Sequence, residues 1–304
     1  MPPKAPSPSR TTAAFLRDAV GNFETRLDRA CEAVPEAEGV HALRVACRRL
    51  RSLLSLFRDY LPAEASVVRE RLRELAASFS AVRDLDVLLV HLGDWRTESG
   101  KQDATAMKPI VARLAGRRVD LLRPAMAALE AWRSSPERQQ LRALTQPGAK
   151  WPASSRRKID TVAPLLLEAA HGKFRKSLDR ARRRGTLERY HKLRISGKKL
   201  RYALQALTGH YGKPAKPAVK ALMAIQDGFG EYLDASRAAD VLTEVALGDD
   251  WKSVTRHACM RFIAGCRDRA LAELEAMPAL LEKLDEKRWA AVLDSLTRRK
   301  GEAN

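Results

Sequence analysis

The sequence is poor in cysteine, in aromatic residues and in long apolar runs, and each shortage argues against a class of protein. Its 304 residues include four cysteines and no CxxC pair, which disfavours a disulfide framework or zinc site and favours the reduced thiols of a cytosolic protein. No run of eighteen apolar residues occurs, so no membrane span is predicted. Phe, Trp and Tyr make up 6%, which disfavours a protein that stacks single-stranded bases on aromatic rings.

Acidic residues are also in deficit. The chain has 37 Asp and Glu residues against 56 Lys and Arg residues, a formal net charge of +19. Such an excess destabilises a compact fold through self-repulsion, so a polyanionic partner is expected. Hydrophobic residues make up 45%, which is enough for a core. The N-terminus lacks the apolar segment of a secretory signal, and its Pro and Ser content predicts a disordered arm over residues 1–12.

Charged and aliphatic residues recur at helical spacing throughout the chain, and alternating β-branched runs are absent. We therefore predict an all-α fold. Residues 134–159 contain three prolines and one glycine, which predicts a linker with at most a short helix, and residues 299–304 form a tail. The predicted helices span about 13–33, 38–60, 63–94, 104–133, 160–184, 186–209, 215–247, 251–275 and 279–298.

An internal repeat divides the chain into two halves. The segment HALRVACRRLRSLL at residues 41–54 matches HKLRISGKKLRYAL at residues 191–204, an offset of 150 residues. The same offset pairs Leu72 with Leu222 and Asp84 with Asp234. We predict two pseudo-symmetric helical bundles of about four helices each, covering residues 13–133 and 160–298 of a single domain. Equivalent helices are expected to meet at the shared interface, where a ligand site would lie.

The repeated segment carries a narrow row of basic residues, here called the basic stripe. On a helical wheel the stripe of the first half falls within about 80°, and the apolar residues fall roughly opposite. Ten residues of helix span about 15 Å. Arginine binds tetrahedral oxyanions with two parallel hydrogen bonds, so the stripe suits a linear polyanion. The two stripes are His41, Arg44, Arg48 and Arg51 in the first half, and His191, Arg194, Lys198 and Arg201 in the second.

A solvated charged face is the alternative interpretation of the stripe. Such faces usually mix charges of both signs, but no acidic residue occurs from His41 to Arg58, and the pattern recurs in the second half. The two histidines either contact an anion or are packed, hydrogen-bonded residues. Neither is followed by a carboxylate or a second histidine three or four residues later, so no metal site is expected there.

Motifs of known catalytic sites are missing. The sequence contains no GxxxxGK[ST], GxGxxG, HExxH or GxSxG pattern. Asp84 and Asp86 could hold a metal ion, but the second half has Asp234 and Ser236 at the equivalent positions. We favour a structural role in which Asp84 and Asp234 pair with basic residues of neighbouring helices. No cofactor, no metal and no enzymatic activity are predicted.

The segments VHALRVACRRLRSLLSLF, YHKLRISGKKLRYALQAL and VRDLDVLLVHL resemble the motifs of the CHAD family, the conserved histidine α-helical domain. The resemblance covers about residues 10–298. It implies two four-helix bundles, a basic central surface and binding of inorganic polyphosphate. Many family members are fused to a triphosphate-tunnel domain with an ExExK motif; this chain has no such motif, so the resemblance does not imply hydrolysis. The segment GEYLDAS departs from the family's acidic motif.

The resemblance also implies a set of binding residues, partners and a location. Expected partners are inorganic polyphosphate and granule surface proteins, with nucleic acid as a weak electrostatic competitor. The expected location is the cytoplasm, at polyphosphate or polyhydroxyalkanoate granules. A nucleic-acid-binding protein, an accessory protein of polyphosphate-metabolising enzymes and an enzyme acting on phosphate chains remain the alternatives. The motif residues are His41, Arg44, Arg48, Arg49, Arg51, His191, Arg194, Lys198, Lys199 and Arg201, and neighbouring basic clusters add Arg113, Arg117, Lys173, Lys176, Arg261 and Arg267.

Overall fold

The all-α prediction is confirmed by a computed structural model that describes residues 10–146, 148–211, 216–248 and 250–282. Within these ranges no strand occurs, and Thr11 and Lys158 form an isolated β-bridge. Two short 3-10 turns lie at Arg58–Tyr60 and Ala153–Arg156. The helices are α1 (Thr12–Glu32), α2 (Ala37–Leu56), α3 (Glu64–Ser78), α4 (Ser80–Glu98), α5 (Lys101–Ala106), α6 (Lys108–Arg133), α7 (Pro136–Ala143), α8 (Ile159–Arg183), α9 (Leu187–Tyr211), α10 (Lys216–Gly248) and α11 (Ser253–Glu282).

Several helix boundaries differ from the predicted ones, and the helix predicted over 104–133 is divided into α5 and α6 at Met107. The helix predicted over 63–94 is interrupted at Phe79, and its second part continues past Gly93 to Glu98. Phe79 is fully buried, so packing outweighs local helix propensity at this position. Helix α11 continues through Pro278 to Glu282 instead of ending near residue 275. Most of the helix predicted over 279–298 lies outside the described residues, as do residues 1–9 and the tail at 299–304.

The segment predicted as a linker is ordered and packs against the first helix. Its helix α7 begins at a Ser135 cap, which accepts a hydrogen bond from the Arg138 amide at 3.2 Å. Leu141 of α7 is buried, and Arg142 donates to Glu24 of α1 at 3.0 Å. The end of the predicted disordered arm is ordered too, because the Thr12 amide donates to the Arg157 carbonyl at 2.8 Å.

Helix boundaries recur in the two halves at the offset found in the sequence. Helix α2 begins at Ala37 and α9 at Leu187, and α4 ends at Glu98 where α10 ends at Gly248. The interrupted pair α3 and α4 therefore corresponds to the continuous α10. The pseudo-two-fold relation between the halves stays a prediction, and these boundaries support it.

The apolar core is shared between the two halves. Its larger cluster joins α1, α2 and α3 to α8 and α9, with Leu43, Leu50, Leu193 and Leu200 fully buried. A second cluster joins α4 and α6 to α10 and α11. Because both clusters draw on residues from both sides of 134–159, the halves bury a common core. Helices α2 and α9 contact each other within it, which brings the two basic stripes together.

Within the described ranges, none of the helices is both long enough and apolar enough to cross a lipid bilayer. The four cysteines are unpaired; Cys31, Cys47 and Cys259 are buried, and Cys266 is half-buried.

The start of α2 depends on a close backbone approach at Gly39. A Cβ atom there would overlap the Ala33 carbonyl and the Val34 amide nitrogen, both of which are backbone groups. We expect Gly39→Ala to lower the free energy of unfolding by about 1–3 kcal/mol, because overpacking forces the α1–α2 turn to move. The control is Gly93→Ala in α4, where a Cβ meets no atom. It should stabilise the protein by about 0.5–1 kcal/mol through helix propensity. Equal melting temperatures for the two variants would contradict this assignment.

Candidate anion-binding site

The crossing of α2 and α9 brings four basic side chains into one group, here called the central cation cluster: Arg48, Arg194, Lys198 and Arg201. The positive charges of Arg48, Arg194 and Arg201 all act on the Lys198 ammonium. The apolar faces of both helices are buried in the core, so the stripes occupy the faces left at the surface. All four cluster side chains are half-buried. The stripe is therefore not a fully solvated face.

A buried aromatic ring forms the floor of the cluster. The guanidinium carbon of Arg48 lies 5.7 Å from the centroid of the Tyr202 ring, and that of Arg201 lies 5.0 Å from it. Arg201 also donates a hydrogen bond to the Tyr202 hydroxyl at 3.2 Å. Cation–π attraction favours both positions. Sequence reasoning missed Tyr202, because the first half has Ser52 at the equivalent position and a lone tyrosine carries no signal of a binding site.

The positive charges of the cluster are not balanced by ion pairs among the described residues. Among the described residues, no carboxylate forms an ion pair with any of its four members. Buried charged donors normally have partners, because an unpaired one is costly. These guanidinium groups therefore retain hydrogen-bonding capacity for an external anion. The Nε atoms that are buried without a hydrogen-bond partner include those of Arg48, Arg49, Arg51, Arg194 and Arg201.

Within the cluster, the pKa of Lys198 is the one most strongly shifted. Burial, followed by the charges of Arg194, Arg48 and Arg201, lowers the pKa of Lys198 to about 7, and the charge of Asp234 only partly opposes this shift. Burial also lowers the pKa of Arg194, although Asp234 acts in the other direction. A bound anion would reverse both effects, because opposite charge favours the protonated form.

Arg44 has a structural role that the stripe did not predict. Its Nη1 atom donates to the Ala76 carbonyl at 2.5 Å and to the Ser80 hydroxyl at 2.6 Å. These bonds join α2 to the junction of α3 and α4. Burial lowers the pKa of Arg44, and Asp84 opposes the shift. Arg44 therefore positions α2 against this junction.

Asp84 pairs with a basic residue of a neighbouring helix, as the structural interpretation expected, whereas Asp234 forms no ion pair among the described residues. Arg237 of α10 lies 3.2 Å from the Asp84 carboxylate. Burial raises the pKa of Asp84 and that of Asp234. The charge of Asp234 adds to the shift of Asp84, and the charge of Glu231 adds to the shift of Asp234. Asp86 pairs with Arg118 of α6. In the part of the chain that the structure describes, no group of three His, Cys, Asp or Glu side chains is arranged to hold a metal ion.

Both stripe histidines lie at the surface, at the N-terminal end of their stripes. Partial burial lowers the pKa of His41, and Arg83, Arg48 and Arg44 add to the shift while Glu38 opposes it. Fully packed histidines, the alternative considered above, do not occur at these positions. Arg83 of α4 is a further cation near His41 that sequence reasoning did not assign to the site.

The basic surface extends further on one side than on the other. Arg51 feels the charges of Arg73 and Arg69 on α3, with Glu70 between them. The 150-residue offset places Val219 and Met223 of α10 at the equivalent positions. The halves therefore share the centre of the site and differ at its edge.

Several predicted site residues lie away from the cluster. Arg113 and Arg117 line a separate cleft of about 570 Å³ between α6 and α10, where Arg117 lies 4.0 Å from Glu244. Arg261 of α11 is paired with Asp103 of α5 at 2.7 Å. Arg113 and Arg117 therefore line a cleft of their own and Arg261 has an acidic partner, and the membership of these three residues in the anion-binding site stays a prediction. Lys173 and Lys176 of α8, Lys199 of α9 and Arg267 of α11 are exposed.

Comparison with known proteins identifies this architecture. A family model described as the CHAD domain matches residues 14–243. The chain is similar to the crystal structure of the CHAD domain from the plant Ricinus communis, at 22% identity and a TM-score of 0.69 over 93% of this chain and 95% of that one. It is also similar to PptA from Streptomyces chartreusis, at 18% identity and a TM-score of 0.67 over 90% and 100%. At these identities the similarity shows the fold. No curated protein matches.

The electrostatics of the cluster can be tested by titrating Lys198. Replacing Arg48 with Met removes one of the charges that act on the Lys198 ammonium, so the pKa of Lys198 should rise from its value of about 7. The measurement is the pH dependence of the Lys198 Cε chemical shift. The matched control, Arg113→Met, changes a cation beside the separate cleft and should leave the titration in place. An unchanged Lys198 titration in Arg48→Met would show that the two side chains do not share a site.

Proposed function

Since the chain belongs to the CHAD domain family, whose family model matches residues 14–243, we propose that it binds inorganic polyphosphate without catalysing a reaction. The polyphosphate is held at the crossing of α2 and α9 by the central cation cluster. Arg49, Lys199, His41 and His191 flank this cluster. Attachment to polyphosphate or polyhydroxyalkanoate granules in the cytoplasm belongs to the same proposal.

One observation carries the proposal: the central cations have no acidic partner among the described residues. Elsewhere in the structure, some exposed cations pair with acids. Arg261 is held by Asp103, and Arg142 by Glu24. The unpaired group is instead half-buried, and two of its guanidinium groups lie over the Tyr202 ring. A polyanion that neutralises the group would remove the repulsion between its members.

The arrangement favours a flexible phosphate chain over a nucleic acid. Tyr202 is only 6% exposed, so its ring is covered by arginines and is not a platform for stacking bases. The cluster occupies a single helix crossing. A chain of linked phosphates carries a charge on every unit and, unlike a nucleic acid, has no bases for which the protein must provide space. Nucleic acid remains an electrostatic competitor through the net charge of +19.

Binding should be strong and should weaken steeply with salt. Each phosphate contact on duplex DNA contributes about 0.9 to the slope of log affinity against log salt concentration. By analogy, the four cations of the central cluster together with Arg49 and Lys199 predict a slope of about five for polyphosphate. The measurement is a competition of labelled long-chain polyphosphate against duplex DNA and single-stranded RNA over a salt series. Affinity that is independent of salt, or preference for DNA at physiological salt, would contradict the proposal.

Matched triple variants separate the site from the general charge of the protein. Replacing Arg194, Lys198 and Arg201 by Ala should weaken polyphosphate binding roughly 100-fold, at about 1 kcal/mol for each charged contact. The control removes the same number of charges at Arg113, Arg117 and Arg261, and should change affinity only slightly. Circular dichroism establishes that both variants remain helical. Equal losses in the two variants would show that binding follows net charge alone.

The pH dependence of binding should report Lys198 above pH 7. The free protein has a Lys198 pKa of about 7, and a bound polyanion raises it. Binding therefore takes up a proton in the interval above 7, and affinity should rise as pH falls from about 9 to 7 before levelling off. Lys198→Arg keeps the charge at all of these pH values, so it should flatten the profile.

His41 acts in a lower pH interval. Its pKa is lowered below the ordinary histidine value in the free protein, so protonation of His41 on binding is expected at lower pH than protonation of Lys198. His41→Gln should therefore leave the profile above pH 7 unchanged. A profile that His41→Gln flattens and Lys198→Arg leaves intact would assign the proton to the histidine.

A further inference from the structure

We propose that Lys198 is a site of covalent acylation by acyl phosphates, whose phosphoryl group docks on the guanidinium groups of the central cation cluster. This inference rests on the proposed function, because it uses the same phosphate-binding arginines. Its chemistry is different: the cluster that holds polyphosphate without reaction also places a nucleophilic amine beside a bound phosphoryl group.

The surroundings of Lys198 provide the anchor. Arg194 and Arg201 lie one helical turn before and after Lys198 on α9, and Arg48 of α2 lies over the same Tyr202 ring as Arg201. Asp234 of α10 is the acid whose charge acts on the Lys198 ammonium, and it forms no ion pair with Lys198 among the described residues. The three arginines have no carboxylate partner among the described residues, so their positive charge is available to a phosphoryl group.

The same surroundings make the amine reactive. Only a neutral amine is a nucleophile, and desolvation or a neighbouring cation activates lysine in this way. Burial and three guanidinium groups lower the pKa of Lys198 to about 7, so about half of its amines are neutral at neutral pH. An ordinary solvated lysine has fewer than about one neutral amine in a thousand at that pH.

The reaction is a simple acyl transfer. The lone pair of the Lys198 nitrogen attacks the carbonyl carbon of the acyl phosphate, and a C–N bond forms. The bond from that carbon to the bridging oxygen breaks, and the phosphate leaves with the electron pair. The proton lost by the amine passes to the departing phosphate, so the products are the amide and inorganic phosphate. The arginines stabilise the negative charge that develops on the leaving group.

Acylation would remove a cation from the centre of the site. The amide of acyl-Lys198 carries no charge at any pH, so the modified protein should bind polyphosphate less tightly. Bound polyphosphate would in turn protect Lys198, because it covers the arginines and favours the protonated amine. The site would therefore respond to the relative amounts of acyl phosphate and polyphosphate.

The test compares two acetylating reagents on the full chain at pH 7.5. Acetyl phosphate carries a phosphoryl group, and an uncharged N-hydroxysuccinimide ester of acetate does not. Mass spectrometry gives the initial acetylation rate of every lysine. With acetyl phosphate, Lys198 should react at least about tenfold faster than its exposed neighbour Lys199, and this ratio should be several-fold smaller with the uncharged ester. Inorganic phosphate or polyphosphate should suppress the Lys198 reaction with acetyl phosphate.

Each outcome bears on a separate claim. A Lys198-to-Lys199 ratio that is near one, or that is equal for the two reagents, overturns the inference even where polyphosphate binds normally. Loss of polyphosphate binding together with rapid Lys198 acetylation overturns the proposed function and leaves the anchored acylation intact. The variant Lys198→Gln, which imitates the acetylated side chain, should weaken polyphosphate binding about tenfold, whereas Lys108→Gln on α6 should not. Equal affinities for these two variants would show that acylation does not regulate the site.

Discussion

Four cations repel one another at the crossing of α2 and α9, and the rest of the fold has to hold them together against this repulsion. Arg48, Arg194, Lys198 and Arg201 act on one another without an acidic partner among the described residues. Such a group raises the free energy of the folded protein, because like charges are held together in partly desolvated surroundings. Lys198 relieves part of this repulsion by losing its proton near neutral pH. The remainder is available to stabilise a complex with an anion, since neutralisation by a ligand removes it.

The apolar core makes this arrangement possible. Leu43, Leu50, Leu193 and Leu200 are fully buried on the opposite faces of the two helices, and the clusters to which they belong draw on both halves of the chain. Arg44 of α2 adds a hydrogen bond to the carbonyl of Ala76 in α3. Because burial of apolar surface is the dominant favourable term in folding, it can hold α2 and α9 at a distance that electrostatics alone would oppose.

Helical periodicity and the repeat were sufficient to predict the all-α fold and the pairing of the two basic stripes, because both follow from spacing along one helix. The environment of each cation was not predictable in this way. Arg261 and Arg194 both belong to basic clusters in the sequence, yet Arg261 pairs with Asp103 from another helix and Arg194 forms no ion pair with a carboxylate among the described residues. The break at Phe79 and the position of Tyr202 beneath Arg48 likewise arise from tertiary packing, which local sequence does not encode.

The halves differ where a strictly symmetric site would be identical. Lys198 corresponds to Arg48, Tyr202 to Ser52, and the row Arg69 and Arg73 beside Arg51 corresponds to Val219 and Met223. The second half therefore contributes the lysine whose pKa lies at about 7 and the aromatic ring beneath Arg201, while the first half places Arg69 and Arg73 beside Arg51. A linear polyanion bound as proposed would meet Lys198, whose charge depends on pH, on one side of the crossing and the permanently charged Arg48 on the other. The two sides are then not energetically equivalent, so these differences between the halves would give a bound polyanion a preferred placement.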